Sequence, residues 1–458
     1  MQKEEKSAPS FTSKVGLVMA AVGSAVGLGN IWKFPYIAGQ NGGGAFLLIY
    51  LLCVLLFGLP LLITEFTIGK HSGRSVYGAF SVIRNNNRWQ WIGWLCMLAT
   101  ILVMGFYTVV TGWCINYLID AISNTLYSSS DLTAHFTELS SNGPRMFGYS
   151  ILALALTSVV LWFDVNKGIE RLSKILMPLL LIMMIFMAIR VLMLPGSNVG
   201  MRFFFEADFS KLSPKVILDA MGQCFFSLSI GLGALITYGA YMPKHQNIIA
   251  TSVQVAVLDS LVAILAGLII FPAVFAFGVD PAEGPQLAFV VLPSVFEQMS
   301  LSSLSSIMFF GLLCIAAITS MISLMEVLVA FLTEATAQKK HSLDRHKAVL
   351  LAVVICVVTS SLCAFSLSGT PEWLKIGDKD FFTVFDTVAS NFLMPLGALS
   401  MAIFIGWFMP ESAIKQELRN GNRSTIHYAL GFLFMQIVRY FVPIAIVAIF
   451  LNGVLSLI

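Results

Sequence analysis

Gly23-Ser-Ala-Val-Gly-Leu-Gly-Asn-Ile-Trp-Lys-Phe-Pro-Tyr36 lies inside an apolar segment long enough to cross a bilayer, yet it carries three glycines and a proline. A helix over residues 14–36 should therefore break at mid-depth. Free backbone groups are costly in hydrocarbon, so a break is tolerated only where the backbone lines a polar cavity or holds an ion. A second interrupted stretch, Ser227-Leu-Ser-Ile-Gly-Leu-Gly-Ala234, opens the second half of the chain in the corresponding place. Paired broken helices point to the midplane binding site of a secondary transporter.

Composition agrees. Of 458 residues, 57% are hydrophobic and 11% charged, and the mean hydropathy is +0.85. This excludes an ordinary soluble domain. Apolar runs of about 20 residues read as membrane spans. They place eleven helices near 14–36, 43–69, 91–123, 146–163, 170–193, 215–241, 247–278, 303–335, 346–365, 380–409 and 427–456. The polar residues 1–10 lead into the first broken helix without a small-residue cleavage pattern, so no cleavable signal peptide is expected.

Orientation follows from Lys and Arg in the loops. With residues 1–13 as a cytoplasmic tail, the inner side collects 18 of the 27 and the outer loops hold 7. The loop at 279–302 has neither residue type, and 194–214, with Arg202 and Lys211, is the one equivocal case. An odd number of spans then puts the C-terminus outside. A net charge of +3 spread this way reports topology and no nucleic-acid partner. The lipid bilayer is the expected partner, and the oligomeric state stays open.

Cys53, Cys96, Cys114, Cys224, Cys314, Cys356 and Cys363 fall in or beside spans without paired metal-ligand spacing and read as packing residues. The outer loop at 124–145 has no cysteine and no glycosylation sequon; Asn422-Arg-Ser424 matches one, but on the inner side. A bacterial inner membrane fits best. An enzyme is not expected, because no Ser/His/Asp set lies at membrane depth: His71, His135, His245, His341, His346 and His427 all fall in loops or at helix ends.

Helices 1–5 and helices 6–10 each begin with a Gly-interrupted span. Five is odd, so the second set must enter the membrane from the opposite side. The expected fold is an all-α polytopic membrane protein with a 5+5 inverted repeat and broken helices 1 and 6. The repeats run over 14–193 and 215–409, joined by an outer loop at 194–214; residues 410–458 add an inner loop and a peripheral eleventh helix.

Residues 23–36 followed by Asn41-Gly-Gly-Gly-Ala-Phe46, then Gln223-Cys-Phe-Phe-Ser-Leu-Ser-Ile-Gly-Leu-Gly233, then Ala316-Ala-Ile-Thr-Ser320, together resemble the neurotransmitter:sodium symporter family, notably its bacterial amino-acid transporters. The likeness runs through helices 1 to 10 in order. It implies two sodium sites. The first maps onto the Ala25 carbonyl, Asn30, Ser227 and Asp259, completed by the substrate carboxylate. The second maps onto the Gly23 and Val26 carbonyls with Ala316, Thr319 and Ser320. Positions 316, 319 and 320 share one helix face. Standing alone, Thr319-Ser320 would read as a hydroxyl pair bonded back to its own carbonyls.

The resemblance also implies a substrate cavity. Amides of Leu28 and Gly29 at a half-helix start would hold a carboxylate, with the Tyr107 hydroxyl on the same group. Monoamine transporters of the family carry aspartate at the position of Gly27, so glycine here leaves room for a substrate that brings its own carboxylate. Val103, Phe226, Leu232 and Leu324, with Ser229 and Ser320 nearby, favour an apolar or aromatic α-amino acid. Taken singly, each of these apolar residues reads better as core packing.

Intramembrane charge is costly and usually functional. Asp259 stands where most family members have asparagine, and Ala263 replaces the serine or glutamate that binds or substitutes for chloride. Beside Tyr50, Gln223 and Ser227, Asp259 would supply that negative charge itself, and chloride-independent transport is expected; the alternative is a protonated, hydrogen-bonded acid. Lys33 and Asp386 match the outer gate, with lysine in place of arginine. Glu65 resembles the glutamate that supports the break of helix 6. Glu326 has no derived role, a buried protonated acid being favoured over a proton-coupling group. Tyr241 and Glu334 match parts of the inner gate. The family's tryptophan there is Phe11, and its arginine aligns with Ala8, so the N-terminal latch is expected to be looser or to use Lys6. Gly168 and Pro178 match a pattern that lets the inner end of helix 5 unwind, or else mark an ordinary helix start. The whole implies a sodium-coupled amino-acid symporter; a sodium-independent exchanger of the same fold and a non-transporting sensor are the alternatives.

Overall fold

The computed structural model describes residues 10–127, 131–278, 287–337, 342–369, 374–419, 431 and 433–455. Lys6 and Ala8 lie outside these residues, as do the Asn422 sequon and the expected start of the eleventh helix. Among the described residues, nine helices are long and apolar enough to cross a membrane. Numbered by their place among the eleven expected spans, they are span 2 (Gly44–Ser72), span 3 (Asn87–Ile122), span 4 (Gly143–Leu161), span 5 (Asn166–Leu192), span 7 (Ile248–Ala276), span 8 (Ser302–Thr336), span 9 (Arg345–Leu367), span 10 (Phe381–Phe408) and span 11 (Leu433–Leu451). Span 1 is a pair, Lys14–Ala25 and Gly29–Gln40, bent by 48°. Span 6 is likewise two helices, Pro214–Ser227 and Ala234–Ala240, separated by six non-helical residues.

The helix starts follow local chemistry. Ser13, Asn142, Ser213, Asn247, Asp344 and Asp380 each accept a hydrogen bond from a backbone N–H in the first turn of spans 1, 4, 6, 7, 9 and 10. These are the residue types whose side chains satisfy the orphan donors of a helix start. Span 2 ends on Gly73 at φ +58°, a left-handed cap that glycine adopts at no steric cost.

Burial ranks the spans. In spans 3 and 8, 72% of the most apolar window is buried inside the protein, against 33% for spans 4 and 5 and 28% for span 11. Spans 3 and 8 pack along each other as the centre. The first half of span 1 and the second half of span 6 lie against span 8, and the latter also against span 2. Ile182, Ile185 and Ile189 on span 5 are more than a third exposed, as are Val354 and Val358 on span 9 and Ile444 on span 11. In lipid such apolar faces carry no penalty.

Several short elements lie outside the expected spans, and three of them bear on the loops. The outer loop at 124–145 contains the helix Leu132–Ser141. The loop at 194–214 contains Ser197–Phe205, which packs on span 7. The fold is not purely helical, since Lys375–Ile376 and Lys379–Asp380 pair as a two-stranded antiparallel hairpin before span 10. All three are short, and their hydrophobic periodicity is too brief to register against the spans.

Candidate functional site

Both breaks free backbone groups and point them at partner spans. In span 1 the Gly27 N–H donates to Asn30 Oδ1 (3.2 Å) and the Asn30 N–H to Gly27 O (3.2 Å), which takes the Gly23 and Val26 carbonyls out of the helical ladder. Ser320 Oγ of span 8 donates to both, at 3.3 and 3.1 Å. Thr319 is bonded back to Ile315 O and Ala316 O at 2.8 and 3.1 Å. Even so it abuts the break, because a Cβ on Gly23 would lie 3.3 Å from Thr319 Cβ. The structure thus brings Gly23, Val26, Ala316, Thr319 and Ser320 together, with only the serine reaching across.

The break of span 6 is left-handed at Ser229 (φ +53°), Gly231 (+88°) and Gly233 (+77°). Such a conformation in a serine costs about 1–3 kcal/mol and persists only when its surroundings hold it. Three tethers do so. Ser229 Oγ donates to Ser24 O (2.9 Å), the Gly231 N–H donates to Glu65 Oε1 (2.9 Å), and Thr100 Oγ1 donates to Leu232 O (3.0 Å). Glu65 thus accepts one of the N–H groups that the break sets free.

Between the breaks sits a fully buried polar cluster. Asn30 Nδ2 donates to Ser227 Oγ (2.8 Å), Asp259 Oδ1 (2.8 Å) and Asp259 O (3.2 Å). Asp259 Oδ2 accepts from Ser227 Oγ at 2.8 Å and from Tyr50 Oη at 3.2 Å. Gln223 Nε2 donates to Gly29 O at 2.7 Å, while its Oε1 is buried without a partner. Each of these five side chains is at most 2% exposed. A buried carboxylate needs this many donors to be tolerated. The same point gathers hard oxygens, which is what a small cation coordinates. Turning the Asn30 amide over would present its Oδ1 there in place of its NH2 group.

Beside this cluster lies a cavity of ≈ 20 Å³, room for about one water. Ala25, Gly27 and Gly29 line it from the break of span 1. Val103 and Tyr107 come from span 3, Phe226, Ser229 and Leu232 from span 6, and Ser320 and Leu324 from span 8. Leu28 contributes its amide, which donates to Tyr107 Oη at 3.0 Å. Met394 of span 10 completes the wall, a residue the sequence reading did not single out. Nine of the eleven expected substrate residues line this cavity; Leu28 and Ser227 reach it only through neighbours.

At one end of the cavity, Lys33 Nζ stands 3.7 Å from Asp386 Oδ1 and 4.1 Å from the centre of the Phe226 ring. A point-charge ammonium makes this one contact where a guanidinium fork would make two. Ahead of span 1, Phe11 is 2% exposed, packs edge-on against Tyr238 with ring centres 5.5 Å apart, and donates its N–H to Tyr241 O at 3.0 Å.

Around Phe11 the structure supplies partners that the sequence reading did not assign. Tyr241 and Glu334 belong to separate networks: Tyr241 Oη donates to Glu326 Oε1 (2.9 Å), whereas Glu334 accepts from the Ser75 N–H (2.9 Å) and lies 3.7 Å from Arg74. Glu326 is not an isolated buried acid. Arg345 holds it bidentately at 2.9 and 2.8 Å and also donates to Leu161 O. The N-terminal latch has a partner the sequence reading missed. Glu170, buried in the wide first turn of span 5, accepts from the Thr12 N–H (2.7 Å), Thr12 Oγ1 (2.8 Å), Ser13 Oγ (2.8 Å) and Lys174 Nζ (2.6 Å). Gly168 lies in that same turn, and Pro178 stands inside the wound helix beyond it.

Removing one partner of a buried charge pair costs about 3–5 kcal/mol, because the other is left uncompensated. Arg345→Gln is therefore expected to loosen the inner side. Hydrogen exchange should rise at residues 11–18 and stay unchanged around Lys33; unchanged exchange at 11–18 would remove Arg345 from the gate.

Two interrupted spans, oxygen-rich clusters on either side of one occluded cavity, and closures above and below it define a secondary transporter. The profile of the Sodium:neurotransmitter symporter family matches residues 8–146 and 139–457, and the chain belongs to that family. It is 38% identical over 456 residues to the uncharacterized sodium-dependent transporter YhdH of Bacillus subtilis, covering 99% of both chains. It is 34% identical over 465 residues to an uncharacterized sodium-dependent transporter of Haemophilus influenzae, covering 99% of this chain and 100% of that one. The crystal structure of MhsT in complex with L-phenylalanine superposes with a TM-score of 0.88 at 38% identity, covering 97% of this chain and 99% of that one. The protein is a sodium-coupled, multi-pass membrane transporter and not an enzyme.

Proposed function

We propose that this protein is a chloride-independent symporter that uses sodium to drive an apolar or aromatic α-amino acid across the inner membrane of a bacterium, with its N-terminus cytoplasmic and C-terminus outside. The observation that carries this reading is the juxtaposition of two oxygen sets with one cavity. Asn30, Ser227, Asp259 and the Ala25 carbonyl hold one sodium ion next to the substrate carboxylate. The Gly23 and Val26 carbonyls hold a second with Ala316, Thr319 and Ser320. The cavity has a polar end, where the Leu28 and Gly29 amides and Tyr107 receive the carboxylate, and an apolar end formed by Val103, Phe226, Leu232 and Leu324. The similar MhsT structure is a complex with L-phenylalanine, a substrate of the apolar or aromatic class proposed here.

Coupling is then direct. The substrate carboxylate is itself a ligand of the first ion, so sodium and substrate each raise the other's affinity by the same factor. Alternating access follows as the bundle of spans 1, 2, 6 and 7 rocks against spans 3, 4, 8 and 9 within the two repeats, 14–193 and 215–409. Lys33 with Asp386 closes the outer path. Phe11, Tyr241 and Glu334 close the inner one, and unwinding between Gly168 and Pro178 releases the second ion inward.

Uptake of labelled Leu, Phe, Met, Trp, Ala and Gly into proteoliposomes, under inward sodium or potassium gradients in chloride-free buffer, tests the reading. Accumulation with sodium alone is expected, led by the large apolar substrates. Uptake indifferent to sodium would make the protein an exchanger, and binding without accumulation would make it a sensor.

A further inference from the structure

The cavity as it stands admits about one water, so an amino-acid side chain enters only if part of the wall moves. Of its five apolar side chains larger than alanine, four are held. Val103 is β-branched on an unbroken helix, which leaves one favoured rotamer. The Phe226 ring lies under the Lys33 ammonium at 4.1 Å and against Gly29, where a Cβ would come within 2.9 Å of it. Leu232 is branched, with two side-chain torsions against the three of an unbranched methionine, and its backbone is tied to Thr100. Leu324 is buried within span 8, the most enclosed of the spans together with span 3.

Met394 is different. Its backbone is fixed, because its carbonyl stands where any side chain at Gly231 would collide with it, and a Cβ on Gly397 would lie 2.6 Å from Gly231 O. Its side chain is unbranched, with three rotatable bonds and a polarizable sulfur, the type that repacks around irregular shapes. It is 2% exposed and lines the cavity from a span that contributes no other wall residue.

We infer that Met394 is the adjustable wall of the substrate cavity and sets the largest side chain the transporter accepts. This specificity role rests on the amino-acid symport reading. Apparent KM values for Ala, Leu, Phe and Trp in sodium-driven uptake test it in Met394→Ala, Met394→Phe and Met394→Leu. One methylene in an apolar pocket discriminates by about tenfold or more. Met394→Ala should lower the Trp-to-Leu KM ratio by about that factor. Met394→Phe should raise the KM for Phe and Trp by a similar factor and leave that for Ala within twofold. Met394→Leu, nearly equal in volume but stiffer, should raise the Trp value alone, and it keeps the test open if either other variant fails to fold. Wild-type ratios in all variants that fold would overturn the assignment. Absence of sodium-driven uptake in the wild-type protein would overturn the symport reading instead.

Discussion

Asp259→Asn is expected to abolish sodium-driven uptake in chloride-free medium and to regain part of it when chloride is added. Asp259 is fully buried and is the one carboxylate in its cluster, held by Asn30, Ser227 and Tyr50. Asparagine keeps the shape and loses the charge. Leaving a buried charge without its partner costs about 3–5 kcal/mol, which at about 1.4 kcal/mol per tenfold is two to three orders of magnitude in apparent sodium affinity. Chloride beside Tyr50, Gln223 and Ser227 would return the missing charge. Adding Ala263→Ser should strengthen that rescue, since Ala263 is buried one helical turn along span 7. Uptake is read against chloride concentration at fixed sodium. Undiminished chloride-free uptake by Asp259→Asn, or a wild-type rate that chloride raises several-fold, would remove Asp259 from the coupling mechanism.

Much of this site was legible because its chemistry is local. Glycines at 27, 29, 231 and 233 announce the breaks, Ser and Asn or Asp at helix starts announce the caps, and the Ala316, Thr319, Ser320 spacing puts three residues on one face. What escaped depends on geometry that a sequence does not print. Met394 lies eight residues after Asp386, which on a regular helix at about 100° per residue turns it some 80° away from the gate. The wide turn at Ala389–Leu393 absorbs one residue and brings the two back to one face. Arg345 counted only as one more inner-loop charge for topology, yet it pairs with Glu326 across the loop between spans 8 and 9. Glu170 was likewise anonymous, since its partners Thr12 and Ser13 lie more than 150 residues away in sequence. Long-range pairing of charges follows from how the helices pack, and a single sequence carries no signal of it.

Gly27→Ala is expected to stop transport while leaving the fold intact, and it acts on the cavity without touching the Asp259 carboxylate. Gly27 is not among the positive-φ glycines, so alanine brings no backbone strain. The difficulty is room: its Cβ would lie 2.5 Å from Ser320 Oγ and 2.6 Å from Tyr107 Oη. Those two hydroxyls are the ones that meet the Gly23 and Val26 carbonyls and the Leu28 amide. A methyl group therefore displaces a proposed ion ligand and the proposed carboxylate donor in one step. Overpacking of this kind costs about 1–3 kcal/mol in stability, a modest fall in melting temperature. The loss in uptake should exceed about a hundredfold, because two interactions that hold substrate and ion fail together. Gly222→Ala is the matched control, since a Cβ there meets nothing within 4 Å. It should leave uptake and melting temperature near wild type. If Gly27→Ala transports at the wild-type rate with its fold preserved, Ser320 and Tyr107 do not jointly hold the substrate, and the carboxylate must be received elsewhere. If instead Gly27→Ala loses uptake and stability together while Gly222→Ala keeps both, the break itself has collapsed, which the melting curve distinguishes from a blocked cavity.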